Sequence, residues 1–216
     1  MSGTFGKHGG AHIASRPNSK TKEGLDFSYL ESKETFKEYY NKLGKKSNQQ
    51  RQEYRPKKMD CFRPYISDPI IEFGCHIGFN FDMFITEGCN DITGVDCSNS
   101  LIEEATKRYG KSSKVTLIEA LIEDLPEDKK YKTIVMTDIL EHVIDISLIL
   151  QKAKNLLDDN GYILYCSPST REGSSSHVRG ISKEEIVSLL KQYKLKAYKW
   201  FPGYGSDIRL IIQHEK

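Results

Sequence analysis

The feature that most constrains the fold is an alternation along residues 66–216, where short apolar runs are separated by helix-like stretches. Pro69–Gly74, Asp91–Asp96, Val115–Ala120, Thr133–Thr137 and Tyr162–Cys166 read as buried strands. Between them, Ile77–Glu87 and Ser98–Tyr109 have helical spacing, and Ser100 with Glu103 is placed as a capping box. Asp145 stands as N-cap to a helix with apolar face Ile146, Ile149, Leu150, Ala153, Leu156 and Leu157, closed by Asn160 and Gly161. Ser182, followed by Glu185, opens a last helix ending near Tyr193. Lys196–Phe201 and Asp207–Gln213 complete the strands. The short Gly/Pro turn between these two forces them antiparallel. Strands alternating with helices imply a parallel sheet covered on both faces. The expectation is an α/β three-layer sandwich whose seven-stranded sheet is mostly parallel, with one antiparallel edge strand.

The first 65 residues are of another kind. They carry 14 basic and seven acidic side chains, a local charge of +7, against −5 for residues 66–216. Residues 1–24 are rich in Gly, Ser, Lys and His without periodicity and read as flexible. From Leu25 to Glu53 the spacing of Leu25, Tyr29, Phe36, Tyr39, Tyr40 and Leu43 is helical, broken at Gly44. Arg55-Pro56 closes this region and Arg63-Pro64 leads into the body. The chain therefore divides into a basic N-terminal extension forming a helical lid, residues 1–65, and a main domain, residues 66–216. The charge split points to an anionic partner; a solvated lysine-rich face is the plainer explanation. His8 and His12 read as solvent-exposed rather than as ligands.

At 216 residues the chain is too short for two full enzyme domains. With 38% hydrophobic and 29% charged residues it is neither collagen-like, disordered nor a coiled coil. No apolar run approaches the roughly 18–20 residues of a membrane span, and MSGTFGKHGG offers no apolar stretch that would read as a secretion signal, so none is expected. Five cysteines without a CxxC pair suit free thiols in a reducing compartment, so a cytoplasmic protein is expected. Nothing in the sequence sets an oligomeric state.

Ile71-Glu72-Phe73-Gly74-Cys75-His76-Ile77-Gly78 is a strand, a glycine turn and a helix start. No Gly-Lys-Ser/Thr follows, so it is not a phosphate-binding P-loop. Asp96, about 20 residues on at the end of the second strand, is placed to accept from both hydroxyls of a ribose. Together these point to an adenosine-type ligand at the carboxyl end of the sheet.

Glu72–Gly78, Thr93–Ser98, Glu123–Pro126, Leu140–Val143 and Asn160–Leu164 resemble, in order and spacing, successive motifs of class I S-adenosylmethionine-dependent methyltransferases. The resemblance covers residues 66–216 and implies a Rossmann-like sheet with a reversed final strand. It places Glu72, Gly74, Cys75, His76 and Gly78 near the methionine part of the cofactor, with Asp138 at the same site. It assigns Asp96 to the ribose, Cys97 and Ser98 to the adenine side, and Ala120, Leu121 and Ile122 to the adenine pocket. Two departures stand out. His76 replaces a glycine, and Leu121 stands where many members have an acid, which leaves adenine recognition to backbone groups or Glu123.

Methyl transfer from a sulfonium is a direct displacement, so positioning supplies much of the acceleration. An oxygen or nitrogen acceptor also needs a base. The candidates are His142, His177 and Glu141. Asp138, Glu141 and His142, at i, i+3 and i+4, would share one face of a helical turn. With His177 they would form a set able to hold a divalent cation, similar to the Glu-x-x-Glu-His motif of ubiquinone-pathway O-methyltransferases and of the small-RNA 2′-O-methyltransferase. The metal-free reading is preferred, because the Glu-His pair is widespread in metal-free members.

The expected function is an S-adenosylmethionine-dependent O-methyltransferase on a small polar acceptor, anionic or phosphate-bearing, such as a nucleotide-linked sugar or another phosphorylated metabolite. The tail Ser176–Glu185 resembles polysaccharide-biosynthesis members. The alternatives are an N-methyltransferase of an amino sugar, an RNA 2′-O-methyltransferase and a catalytically silent binding protein. Nucleic acid is disfavoured, since no recognisable RNA-binding module or arginine-rich stripe is present.

Overall fold

The computed structural model describes residues 32–44, 54–143, 145–170, 176–203, 205 and 207–216. The expectations for residues 1–24, for His8 and His12, and for Leu25 and Tyr29 in the lid pattern lie outside the described residues.

Seven strands form one sheet: β1 (Ile70–Phe73), β2 (Ile92–Asp96), β3 (Val115–Glu119), β4 (Tyr131–Thr137), β5 (Leu157–Pro168), β6 (Leu195–Phe201) and β7 (Asp207–His214). Their order is β3-β2-β1-β4-β5-β7-β6. β1 to β5 are mutually parallel, while β7 runs against both its neighbours, β5 and β6. The reversed final strand is therefore present, seated one place in from the edge with β6 outermost. A short β6–β7 connection allows this, because only an antiparallel pair can be joined by so tight a turn.

The strand period of two sorts side chains into two cores, one on each face. Ile71, Phe73, Ile134, Met136, Ile163 and Tyr165 point to one face, packing with Ile149, Leu150 and Ala153 of helix α5 (Ile146–Leu156) and Ile186, Leu189 and Leu190 of α6 (Lys183–Gln192). Ile70, Val135, Leu164 and Ile211 point to the other face, against Phe81 and Phe84 of α3 (Phe81–Thr86). Helix α4 (Asn99–Tyr109) packs along β3 and β2. The three-layer sandwich expected from the alternation is thus the observed fold. Among the described residues no helix is long and apolar enough to cross a membrane.

Several element ends differ from expectation, each for a local reason. α3 begins at Phe81, because the loop before it holds residues of positive φ that no helix accepts. Ser98 rather than Ser100 is the N-cap of α4; the Ser100 hydroxyl instead donates to the Asn41 carbonyl at 3.2 Å. α5 stops at Leu156, and Leu157 already pairs with Tyr131 in β4, leaving a register shift before Tyr162. The Asp145 and Ser182 caps are as read: each side chain accepts a backbone N–H of the first turn.

Before the sheet come α1 (Lys33–Gly44), α2 (Tyr54–Met59) and a 3-10 segment, Asp60–Tyr65. Pro56 does not close the helical region. It falls in the first turn of α2, where N–H groups have no intrahelical partner to lose. Met59 and Phe62, 1% and 0% exposed, lie in the same core cluster as Ile70 and Phe81.

Candidate functional site

The ends of β1, β2, β4 and β5 open on one side of the sheet, where parallel α/β folds bind ligands. β1 leads into a loop with left-handed backbone at Gly74 (φ 65°), His76 (φ 56°) and Gly78 (φ 77°). Glycine accepts this freely, whereas for an L side chain it costs roughly 1–2 kcal/mol. Gly74 has a second requirement. A Cβ there would lie 2.0 Å from Ile139 Cδ1, so the tip of Ile139 fills the space that a side chain at 74 would need. The His76 ring finds its place by stacking on Phe79, 4.7 Å between centroids and 23° between planes.

Asp96 ties this loop to the next. Its Oδ2 accepts the His76 backbone N–H at 3.0 Å and its Oδ1 accepts that of Ser98 at 2.9 Å. Each carboxylate oxygen has two lone pairs, so a carboxylate held in this way is still able to accept from a diol. Glu72 is buried, with Oε1 accepting from Asn80 Nδ2 at 2.6 Å. The Cys75 N–H donates to the Val95 carbonyl at 2.8 Å. Burial, then the Asp96 charge, pushes the Cys97 thiol well above its ordinary range, so it stays neutral. The Ala120 N–H donates to the Asp96 carbonyl at 3.1 Å, Leu121 is buried, and Ile122 opens a 3-10 turn to Asp124. Glu72, the Gly74–Gly78 loop, Asp96, Ser98 and Ala120 therefore lie at the ends of β1, β2 and β3 and in the loops that follow, with Asp96 bonded to two of these loops through its side chain and to a third through its carbonyl.

α1 packs beside these loops. Lys33 pairs with Glu123 and Asp124, Lys37 with Glu119 at 3.7 Å, and Gly44 seats against Leu101 and Ser98. At the opposite side the Tyr40 ring meets His142 edge-on at 5.9 Å. Part of the N-terminal basic excess thus meets acids of the main domain of its own chain.

Beyond β4 and β5 stand Glu141, His142 and His177. The two imidazoles are 4.9 Å apart, centroid to centroid. His142 Nδ1 lies 3.1 Å from the Ser176 carbonyl. A carbonyl only accepts, so Nδ1 carries a proton, and in the neutral ring Nε2 then keeps its lone pair. Glu141 is fully buried and its Oε2 accepts from the Ser167 hydroxyl at 2.8 Å, while Oε1 lies 3.9 Å from His142 Nε2. Burial, and next the charge of Asp138, push its carboxyl up to about 8. At neutral pH this group is an acid holding its proton.

Donor atoms of Glu141, His142 and His177 lie within 4.8 Å of one another, the spacing of a facial set for a cation. Asp138, expected as a fourth ligand, is not part of the set. Residues 138–142 are a turn and not a helix, and Asp138 has φ 55°. Its Oδ1 instead takes a 2.8 Å ion pair from Lys58. A protonated Glu141 also suits a cation poorly, because the metal would have to displace the proton.

Lys58, Tyr40 as a neighbour of His142, Ser167 and Asn80 escaped the sequence reading. Lys58 sits in a basic run that reads as solvated, and its partner Asp138 is 80 residues away. Asn80, in an otherwise apolar stretch, was the one such residue with a visible signal.

A family described as a methyltransferase domain matches residues 32–207. Ubiquinone biosynthesis O-methyltransferases are relatives. That of Rickettsia prowazekii is 29% identical over 43% of this chain and 36% of its own length; that of Pasteurella multocida is 30% identical over 44% of each. The chain thus spans less than half of either. The fold is shared with the magnesium protoporphyrin IX methyltransferase of Synechocystis, solved with S-adenosylhomocysteine (TM-score 0.67, 15% identity, 85% of this chain and all of that one). It is shared also with an N-methyltransferase of Bradyrhizobium japonicum (TM-score 0.63, 15% identity, 78% and 99%). With the glycine loop, Asp96 and the sheet order in place, the chain belongs to the methyltransferase domain family, in its class I, S-adenosylmethionine-dependent form.

Proposed function

We propose that this chain is an S-adenosylmethionine-dependent O-methyltransferase acting on a small polar acceptor, a nucleotide-linked sugar or another phosphorylated metabolite, in the cytoplasm. The observation that carries the reading is the meeting of His142, His177 and Tyr40 beside the cradle formed by Glu72, the Gly74–Gly78 loop and Asp96. When bound, S-adenosylmethionine supplies a methyl group on a sulfonium, which leaves as a neutral thioether. The chain's own task is to hold the acceptor in line and to take its proton. His142 Nε2 is the base, oriented by the Nδ1–H bond to Ser176, and Glu141 stays protonated beneath it. α1 covers the site from the Asp124 side to His142, excluding water. Arg179, half-buried next to Val178, is the candidate contact for a phosphate.

Calorimetric titration with S-adenosylhomocysteine, on wild type and Asp96→Ala, tests the cofactor half. Micromolar binding lost in the variant is expected; no binding by wild type refutes the reading and leaves a silent binding protein. An acceptor screen starting from nucleotide sugars tests the rest. Turnover of amino sugars alone would make the chain an N-methyltransferase, and strongly salt-dependent RNA binding would make RNA the acceptor.

The three-donor set favours one second reading, a divalent cation orienting the acceptor's hydroxyls through Glu141, His142 and His177. Activity that survives EDTA excludes it; activity restored only by added magnesium establishes it.

A further inference from the structure

Lys58 is a buried cation that the chemistry above does not use. Its side chain is 7% exposed, and Nζ lies 2.8 Å from both Asp138 Oδ1 and Asp207 Oδ2. Its main chain is held as well: the Lys58 carbonyl accepts from Arg209 Nη1 at 3.2 Å, and the same guanidinium donates to the Pro202 carbonyl through Nε at 2.9 Å. α2 and the start of β7 therefore fix one ammonium against the end of β4. Burying a cation is costly unless it is paired, and here two carboxylates pair it.

The consequence lies one residue further on. Asp138 adopts φ 55°, with its N–H donated to the Cys166 carbonyl at 2.9 Å. That conformation turns the chain so that Ile139 seats on Gly74, where even a methyl group would collide. Lys58, Asp138, Ile139 and Gly74 thus form a continuous set of contacts from α2 to the glycine loop.

We infer that Lys58 is a positioning residue for the cofactor site: by clamping Asp138 it holds Ile139 against Gly74 and keeps the glycine loop in its binding shape. The inference rests on the cofactor reading given above. It requires no contact between Lys58 and the cofactor, and it makes α2 a working part of the site.

The test is calorimetric titration of the full chain with S-adenosylhomocysteine, with folding checked by circular dichroism. Lys58→Met is expected to weaken binding by about tenfold or more, the range for losing a group that orients direct ligands. Lys58→Arg keeps the charge, but its fork cannot occupy one point between both carboxylates, so an intermediate loss is expected. Leu156→Ala, a cavity at the C-terminal end of α5 where β5 begins beside the start of β4, lowers stability at the end of the sheet away from these contacts. Its affinity is expected to stay within about threefold of wild type, which separates positioning from general destabilisation. Unchanged affinity in a folded Lys58→Met, or equal losses in Lys58→Met and Leu156→Ala, overturns the inference while the cofactor reading stands. Where Lys58→Met does not fold, wild-type affinity in Lys58→Arg overturns it. Wild type that fails to bind overturns the cofactor reading and this inference with it.

Discussion

Glu141→Gln should make the protein less sensitive to alkali. In the folded chain the Glu141 carboxyl holds its proton to about 8, against an ordinary 4.5. Between those values the folded state binds a proton that the unfolded state has released. Stability therefore falls as pH rises through this window, at about 1.4 kcal/mol per unit. Over the whole window the loss comes to about 4–5 kcal/mol, set first by burial and next by the repulsion of Asp138. Glutamine has the shape of the protonated acid and can still accept from Ser167, yet it does not titrate. Urea unfolding of both proteins at pH 5 and pH 8.5 measures the difference. The two should be within about 1 kcal/mol at pH 5, where the folded carboxyl is protonated and the unfolded one is only just past its midpoint, and the variant should be ahead by several kcal/mol at pH 8.5. Parallel pH profiles would refute the assignment of a buried, protonated Glu141. They would also remove the reason for giving the base role to His142 alone.

Three further outcomes are expected. His142→Asn should lower methyl transfer by about a hundredfold or more, with S-adenosylhomocysteine affinity unchanged by calorimetry, as for loss of a general base. His76→Gly should alter the denaturation free energy by less than about 1 kcal/mol, since relief of the left-handed strain offsets the gain in unfolded-chain freedom, whereas a β-branched His76→Val should cost about 2 kcal/mol. Asp145→Ala removes the cap on the Ser147 N–H and should cost about 1 kcal/mol in the same measurement.

The strands were legible because their period is local. Ile70 to Phe73, or Thr133 to Thr137, show their burial in the identity of consecutive residues, and Gly74 marks the turn after the first. The places of Glu72, the Gly74–Gly78 loop and Asp96 were legible for a similar reason: each lies in the last residues of a strand or directly after it. Ends that depend on a partner elsewhere were not. Ser100 has the spacing of a capping box, but its hydroxyl goes to Asn41 of α1, a contact no window around Ser100 contains. Asp138, Glu141 and His142 have helical spacing too, and the inference that all three face one way fails on a single backbone angle at Asp138.

Charge was the least legible property, and the physics explains why. A run of lysines states how much charge is present, and the strength of any one charge depends on what surrounds it. Lys33 and Lys37 are half-exposed and meet acids of the main domain, where water screens them and each pair contributes little. Lys58 comes from the same basic third and sits between two carboxylates almost out of water. An ammonium in that position cannot be lost without leaving two buried anions uncompensated beside a third acid, Glu141. The sequence writes all three as the same letter. Burial separates them: two pair with acids in contact with water, and the third is held between two carboxylates almost out of it.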